Sequence, residues 1–195
     1  MRQRIVTAVL TIGAMVLLAL GTGLYVLYSG AYDVAATTDH AGVTRWALGT
    51  RQRRSVAARA ASVDGAPPAD SAALAGGFVH FHAMCVQCHG APGIDRGEVG
   101  QGMQPTPPRL EDEAGEWSDA ELFWITKHGI RLAGMPAFGP THDDDAIWGI
   151  VEFVRQLEAM TEEEYADRVR ALQAASAAGA GEGHVDPPGT PEHEH

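Results

Sequence analysis

Only two of the 195 residues are cysteine. No second cysteine pair exists to complete a tetrahedral thiolate zinc site. No strand–helix–strand pattern surrounds the two, which removes the usual setting of a thiol–disulfide oxidoreductase. A phosphate-cradling glycine loop, a Ser/His/Asp set and paired carboxylates in a plausible cleft are all missing, so nothing points to phosphoryl transfer or hydrolysis. Basic residues are scarce over most of the chain: residues 70–195 carry seven Lys or Arg against 22 Asp or Glu. That balance repels nucleic acid. Residues 1–69 reverse it, with seven Arg against three acids, and the whole chain carries −11. The length allows one modest domain with appendages.

What is present centres on Cys85-Val86-Gln87-Cys88-His89. Two cysteines at i and i+3 share one face of a helical turn. From there both thiols can reach the vinyl groups on one edge of a porphyrin, and the following imidazole can bind iron. C-x-x-C-H is the pattern of covalent c-type haem attachment. A plain disulfide would leave the adjacent histidine unexplained. The expectation is one covalently attached haem c, with Cys85 and Cys88 as thioether anchors and His89 as proximal iron ligand. Neither a disulfide nor a free thiol is then expected in the mature protein.

Downstream lies Lys127-His128-Gly129-Ile130-Arg131-Leu132-Ala133-Gly134-Met135-Pro136-Ala137-Phe138-Gly139. Gly77-x-x-x-Phe81-x-x-x-Cys85 precedes the haem motif, and the proline-rich stretch Gln104-Pro105-Thr106-Pro107-Pro108-Arg109-Leu110 follows it, ahead of a late helix with Trp148 and Phe153. In these motifs, over about residues 71–160, the chain resembles the class I cytochrome c family, especially small bacterial members with a G-M-P-x-F-G loop. The resemblance implies an all-α fold built around a small cytochrome c-like helical haem domain, with Met135 as distal iron ligand. It also implies that a backbone carbonyl near residues 105–108 accepts the second ring N–H of His89. A small residue at Gly76 or Gly77 would let the first domain helix cross the last near Trp148. Met84, Met103 and His128 are the other side chains that could stand opposite His89, but none has the Gly–Pro flank of Met135.

Residues 5–28 form an uncharged run of 24. As a helix it spans about 36 Å, enough for a hydrocarbon core of about 30 Å. Arg2 and Arg4 precede it, and Tyr25 and Tyr28 sit where aromatic rings prefer the interface. A signal peptide has a shorter apolar core followed at once by a small-residue site. Val34-Ala35-Ala36 lies well past the run, so residues 1–30 read as an uncleaved transmembrane signal-anchor.

Residues 31–70 read as a linker with a basic helical segment at residues 44–61. Two settings fit that segment: lying on anionic headgroups, or simply solvated. The cytochrome c domain, residues 71–160, opens at an N-cap on Asp70 or Ser71. Ser118-x-x-Glu121 is a capping box for a helix to about His128. Ile147, Ile150, Val151, Val154 and Leu157 recur at three- and four-residue steps in the last domain helix, with Asp143, Asp144 and Asp145 suited to its first turn. Thr161-x-x-Glu164 starts an additional helix over residues 161–176. Residues 177–195 read as a disordered tail whose His184, His193 and His195 are either solvated or a weak metal-binding set.

The resemblance and the anchor imply a single-pass protein of the bacterial inner membrane with its haem domain facing the periplasm. It would be an electron carrier and not an enzyme, moving single electrons between respiratory components such as a quinol-oxidising complex, a dehydrogenase or a terminal oxidase. Alternatives are a dedicated haem subunit of one oxidoreductase, a haem-based sensor or a metal-handling protein.

Overall fold

The computed structural model describes residues 1–67, 70–131 and 133–180. Among them the chain is helical without a β-strand, and extended pairing is limited to isolated bridges at Ala91–Ile94 and Ile130–Met135. It divides into two compact units, residues 1–39 and the chain from His40 onward.

In the first unit, α1 (Arg2–Tyr28) leaves every side chain exposed. It is long and apolar enough to cross a membrane. The hydroxyls of Thr7 and Thr11 donate back to the carbonyls of Gln3 and Thr7, each at 2.9 Å, so these polar atoms are satisfied within the helix.

The second unit begins with α2 (Gly42–Ala60). Asp70 then caps α3 (Ser71–His80), its Oδ1 accepting the Ala73 N–H at 2.7 Å. A π-helical turn, Phe81–Cys85, joins α3 to α4 (Val86–His89). Two single turns, α5 (Glu98–Gln101) and α6 (Leu110–Glu113), punctuate the following loop. α7 (Asp119–His128) starts at the Ser118–Glu121 capping box. α8 (Asp144–Gln156) is capped by Asp143, which accepts the Ala146 N–H at 2.9 Å. α9 (Glu162–Ala180) starts at Thr161 and Glu164, which bond reciprocally at 3.2 and 2.8 Å. Residues 177–180, expected in the tail, continue this helix. Residues 181–195, with His184, His193 and His195, lie outside the described residues.

The core forms where α3 crosses α8. A Cβ on Gly77 would stand 1.9 Å from the Gly149 carbonyl oxygen, and one on Gly149 would stand 2.7 Å from the Ala73 oxygen. The two backbones therefore touch, and the apolar stripe of α8 (Ile147, Ile150, Val151 and Val154) is buried beside them. Phe78 and Phe81 meet Phe153 at ring separations of 5.3 and 5.2 Å. α9 adds the fully buried Tyr165, whose hydroxyl pairs with His82 Nδ1 at 2.9 Å.

The basic segment packs in a way its composition does not announce. Val56 and Ala60 of α2 are buried, and the helix lies against α7. Arg59 reaches over the Trp124 ring at 6.0 Å, while Val43 and Trp46 stay exposed. One edge of α2 thus faces protein, neither solvent nor headgroups.

Adjacent glycines separate close approach from mere tolerance. Gly77→Ala is expected to cost about 3 kcal/mol, because backbone meets backbone and cannot yield. Gly76, whose Cβ position is open, should gain about 0.5–1 kcal/mol on replacement by Ala. Urea-unfolding midpoints of the two variants should move in opposite directions.

Candidate functional site

The second unit encloses a cavity of about 400 Å³, within the range of about 300–1,000 Å³ common for ligand pockets. Cys85, Cys88, His89 and Met135 all stand in its wall. The four residues singled out in the sequence are thus brought together, although 46 positions separate His89 from Met135.

The cysteines and the histidine are placed by the turn where α3 passes through its π-helical segment into α4. Gly90, at φ +73°, ends that turn and sends the chain away. Gly100 of α5 backs onto Cys88, and a Cβ there would lie 2.5 Å from the Cys88 carbonyl oxygen. His89 Nδ1 lies 2.8 Å from the Pro108 carbonyl oxygen. A carbonyl only accepts, so Nδ1 carries the proton and Nε2 keeps its lone pair for a metal. The carbonyl expected near residues 105–108 is therefore that of Pro108.

Burial is the largest influence on the His89 ring and pushes its pKa down. The Pro108 acceptor opposes this, and Arg96 adds to the lowering. The ring is thereby held neutral, as a metal ligand must be. Burial, reinforced by Cys88, pushes the Cys85 thiol up to about 12.

Met135 sits in a loop fastened to the end of α7. The Ile130 N–H donates to the Met135 carbonyl at 3.2 Å, Phe138 N–H to Thr126 at 3.1 Å and Gly139 N–H to Lys127 at 2.9 Å. Gly129 and Gly134 turn the loop with φ of +65° and +75°, a backbone region that side chains with a Cβ seldom adopt. A Cβ on Gly134 would meet Met103 Cε at 2.6 Å.

Met84 and Met103 also line the cavity, whereas His128 does not. His128 is exposed and packs on Trp124, with ring centres 4.9 Å apart. Trp117 lines the cavity and Trp124 does not. His80 and His82 are partly buried helix residues outside the cavity wall. They face His142, at a ring separation of 4.8 Å, and Tyr165 respectively.

Several contributors carry no signal in the sequence. Gly49, Gln52 and Arg53 of α2 form part of the wall; their spacing puts them on one helical face, but no motif marks it. Arg155 of α8 reaches the segment before α7. It donates to the Ala114 carbonyl at 2.8 Å, to Asp119 at 2.6 Å and to the Trp117 carbonyl, fixing the chain that presents Trp117. Arg109 donates to the Ala91 carbonyl at 3.1 Å and pairs with Glu111, tying the loop after His89 to the loop before α6.

The donor set fits an iron porphyrin. Apolar side chains such as Leu122, Ile125, Ile150 and Val154 suit the faces of a macrocycle, two thiols share one wall, and an imidazole nitrogen and a thioether sulfur are available as iron ligands. Residues 72–154 match the family model described as cytochrome C oxidase, cbb3-type, subunit III. That stretch is a cytochrome c domain of class I type, and such a domain binds haem c and carries electrons. No curated protein matches the chain. α1, α2 and α9 lie outside the matched residues.

Arg155→Leu takes the side-chain donor from the Trp117 carbonyl and leaves Ala114 only the Trp117 N–H at 3.2 Å, and it is expected to cost about 2 kcal/mol. Asp119→Asn removes only the more exposed partner, and should cost less than about 1 kcal/mol. The difference would be read from urea-unfolding midpoints.

Proposed function

We propose that the cytochrome c domain at residues 72–154 belongs to a mono-haem electron carrier held at the bacterial inner membrane by α1, with the domain on the periplasmic side. It would pass single electrons between respiratory components, from a quinol-oxidising complex or a dehydrogenase toward a terminal oxidase. The observation that carries this reading is the convergence of Cys85, Cys88, His89 and Met135 on one largely apolar cavity. Bound there, haem supplies reversible one-electron Fe(III)/Fe(II) chemistry, and histidine–methionine ligation raises its potential.

The four residues divide the work. Cys85 and Cys88 hold the macrocycle as thioethers. His89 presents Nε2, its ring aimed by Pro108 and kept neutral by burial. Met135 offers its sulfur from a loop held by Gly129 and Gly134. The apolar walls exclude water, which limits side reactions and favours the less charged iron state. With imidazole and thioether both committed, no ligand position is kept for a substrate, so a carrier fits better than an enzyme.

α1 supports the tether. Arg2 and Arg4 precede the apolar run, the bias expected of a cytoplasmic end. A tether raises the effective concentration of the domain near membrane partners. The excess of acids over residues 70–195 favours basic docking surfaces and an association weakened by salt.

A second reading, a dedicated haem subunit of one oxidase, is favoured by the description of the matched family as an oxidase subunit. Extraction of the full chain from haem-competent cells in mild detergent separates the two: a subunit copurifies in fixed stoichiometry, and a carrier exchanges.

The haem should stay with the polypeptide through denaturing electrophoresis, and the Cys85→Ser/Cys88→Ser variant should lose nearly all of it. Met135→Ala should abolish the sulfur-to-iron charge-transfer absorption of the ferric protein and open the ferrous protein to carbon monoxide, while Met103→Ala keeps the native spectrum. A colourless protein, or the spectral loss at Met103 instead, would overturn the assignment.

A further inference from the structure

We infer that Arg53 holds a propionate carboxylate of the haem, so that α2, a helix outside the matched domain, forms part of the cofactor's seat. The inference rests on the haem reading and adds to it a residue that neither C-x-x-C-H nor the methionine loop contains.

Haem is apolar over its ring and anionic at its propionates, so a complementary cavity needs one cationic or strongly donating edge. Among the described residues of the wall, Arg53 is the only Lys or Arg. The wall also carries Glu113, whose charge has the wrong sign for a propionate, so the guanidinium is the group that makes this edge receptive. Gln52 adds amide donors beside it, and Gly49, one turn back on the same face, puts no side chain over the cavity.

Arg53 is held in place. The burial of Val56 and Ala60 fixes the helix, the guanidinium lies 4.9 Å from the Trp117 ring centre, and Glu116 pairs with it. A guanidinium stacked on an indole keeps its in-plane N–H edges for carboxylates, and it has more donors than one carboxylate uses. It can therefore bridge Glu116 and a propionate. Arg59, in the last turn of the helix, is engaged over Trp124 instead.

The test uses the full chain matured with haem whose propionate carboxyls carry carbon-13, introduced through labelled aminolevulinate. Readouts are the midpoint potential and the redox-induced infrared difference spectrum. Arg53→Gln is expected to lower the potential, because removing a nearby cation stabilises the ferric state, and to shift the label-sensitive carboxylate band. Arg53→Lys should keep the potential near native with a smaller band shift, and it preserves the test if the Gln variant is poorly folded. Glu116→Gln, which breaks the ion pair but leaves the cation, should leave the band in place and not lower the potential.

An unchanged potential and band in both Arg53 variants overturns the inference, and Arg53 then only pins α2 to Glu116. Equal effects of Arg53→Gln and Glu116→Gln overturn it as well. A native chain that takes up no haem overturns both this inference and the proposed function, so the two failures are distinguishable.

Discussion

The contact between the backbones of α3 and α8 governs the rest of the structure. Because Gly77 and Gly149 have no side chains, the helices approach to a separation that no Cβ could share. α3 runs on through its π-helical turn to Cys85, Cys88 and His89. α8 gives Ile150, Val151 and Val154 to the cavity wall and sends Arg155 to the segment carrying Trp117. One close crossing thus sets the spacing between the Cys85–His89 turn and much of the apolar wall around it.

The site is largely apolar, and its imidazole is matched to one acceptor. His89 is buried, and its Nδ1 proton has a single carbonyl to meet. In a poorly solvated pocket that bond orients the ring firmly, since the alternative is an unsatisfied donor. The proline-rich stretch is well suited to supply the acceptor, because proline has no N–H and its carbonyls are less readily drawn into a helix. On the other side, the methionine loop is held by backbone bonds to Thr126 and Lys127 and turned by glycines at positive φ. Two loops without regular structure are thereby made as definite as the helices between them.

α2 shows where charge and packing part company. Its arginines suggest a surface helix, yet Val56 and Ala60 are buried and Arg53 stands in the cavity wall. An Ala-rich helix has no broad apolar stripe to reveal such a face, because alanine packs closely while contributing little hydrophobic contrast. The same helix keeps Val43 and Trp46 exposed on the side nearer α1 in sequence. The 19 residues of α2, between the apolar helix and the cytochrome c domain, are therefore a packed helix and not a bare connector.

Local chemistry made much of this legible in the sequence. Capping residues at Asp70, Ser118, Asp143 and Thr161 announce helix starts because each satisfies backbone donors only a few residues away. C-x-x-C-H singles out Cys85, Cys88 and His89 as candidate haem residues because the spacing suits a porphyrin edge, and the apolar stripe of α8 declares its buried face by period alone. What only the tertiary structure decided are the long-range choices. Among the prolines, Pro108 bonds His89; of the paired glycines, Gly77 and not Gly76 meets the other helix; Arg53 comes to the cavity wall, and Arg155 to the segment that carries Trp117. These depend on where separately folded segments come to rest against one another, and a hydrogen bond or close contact spanning 19, 41 or more positions leaves no periodic trace in the residues that make it.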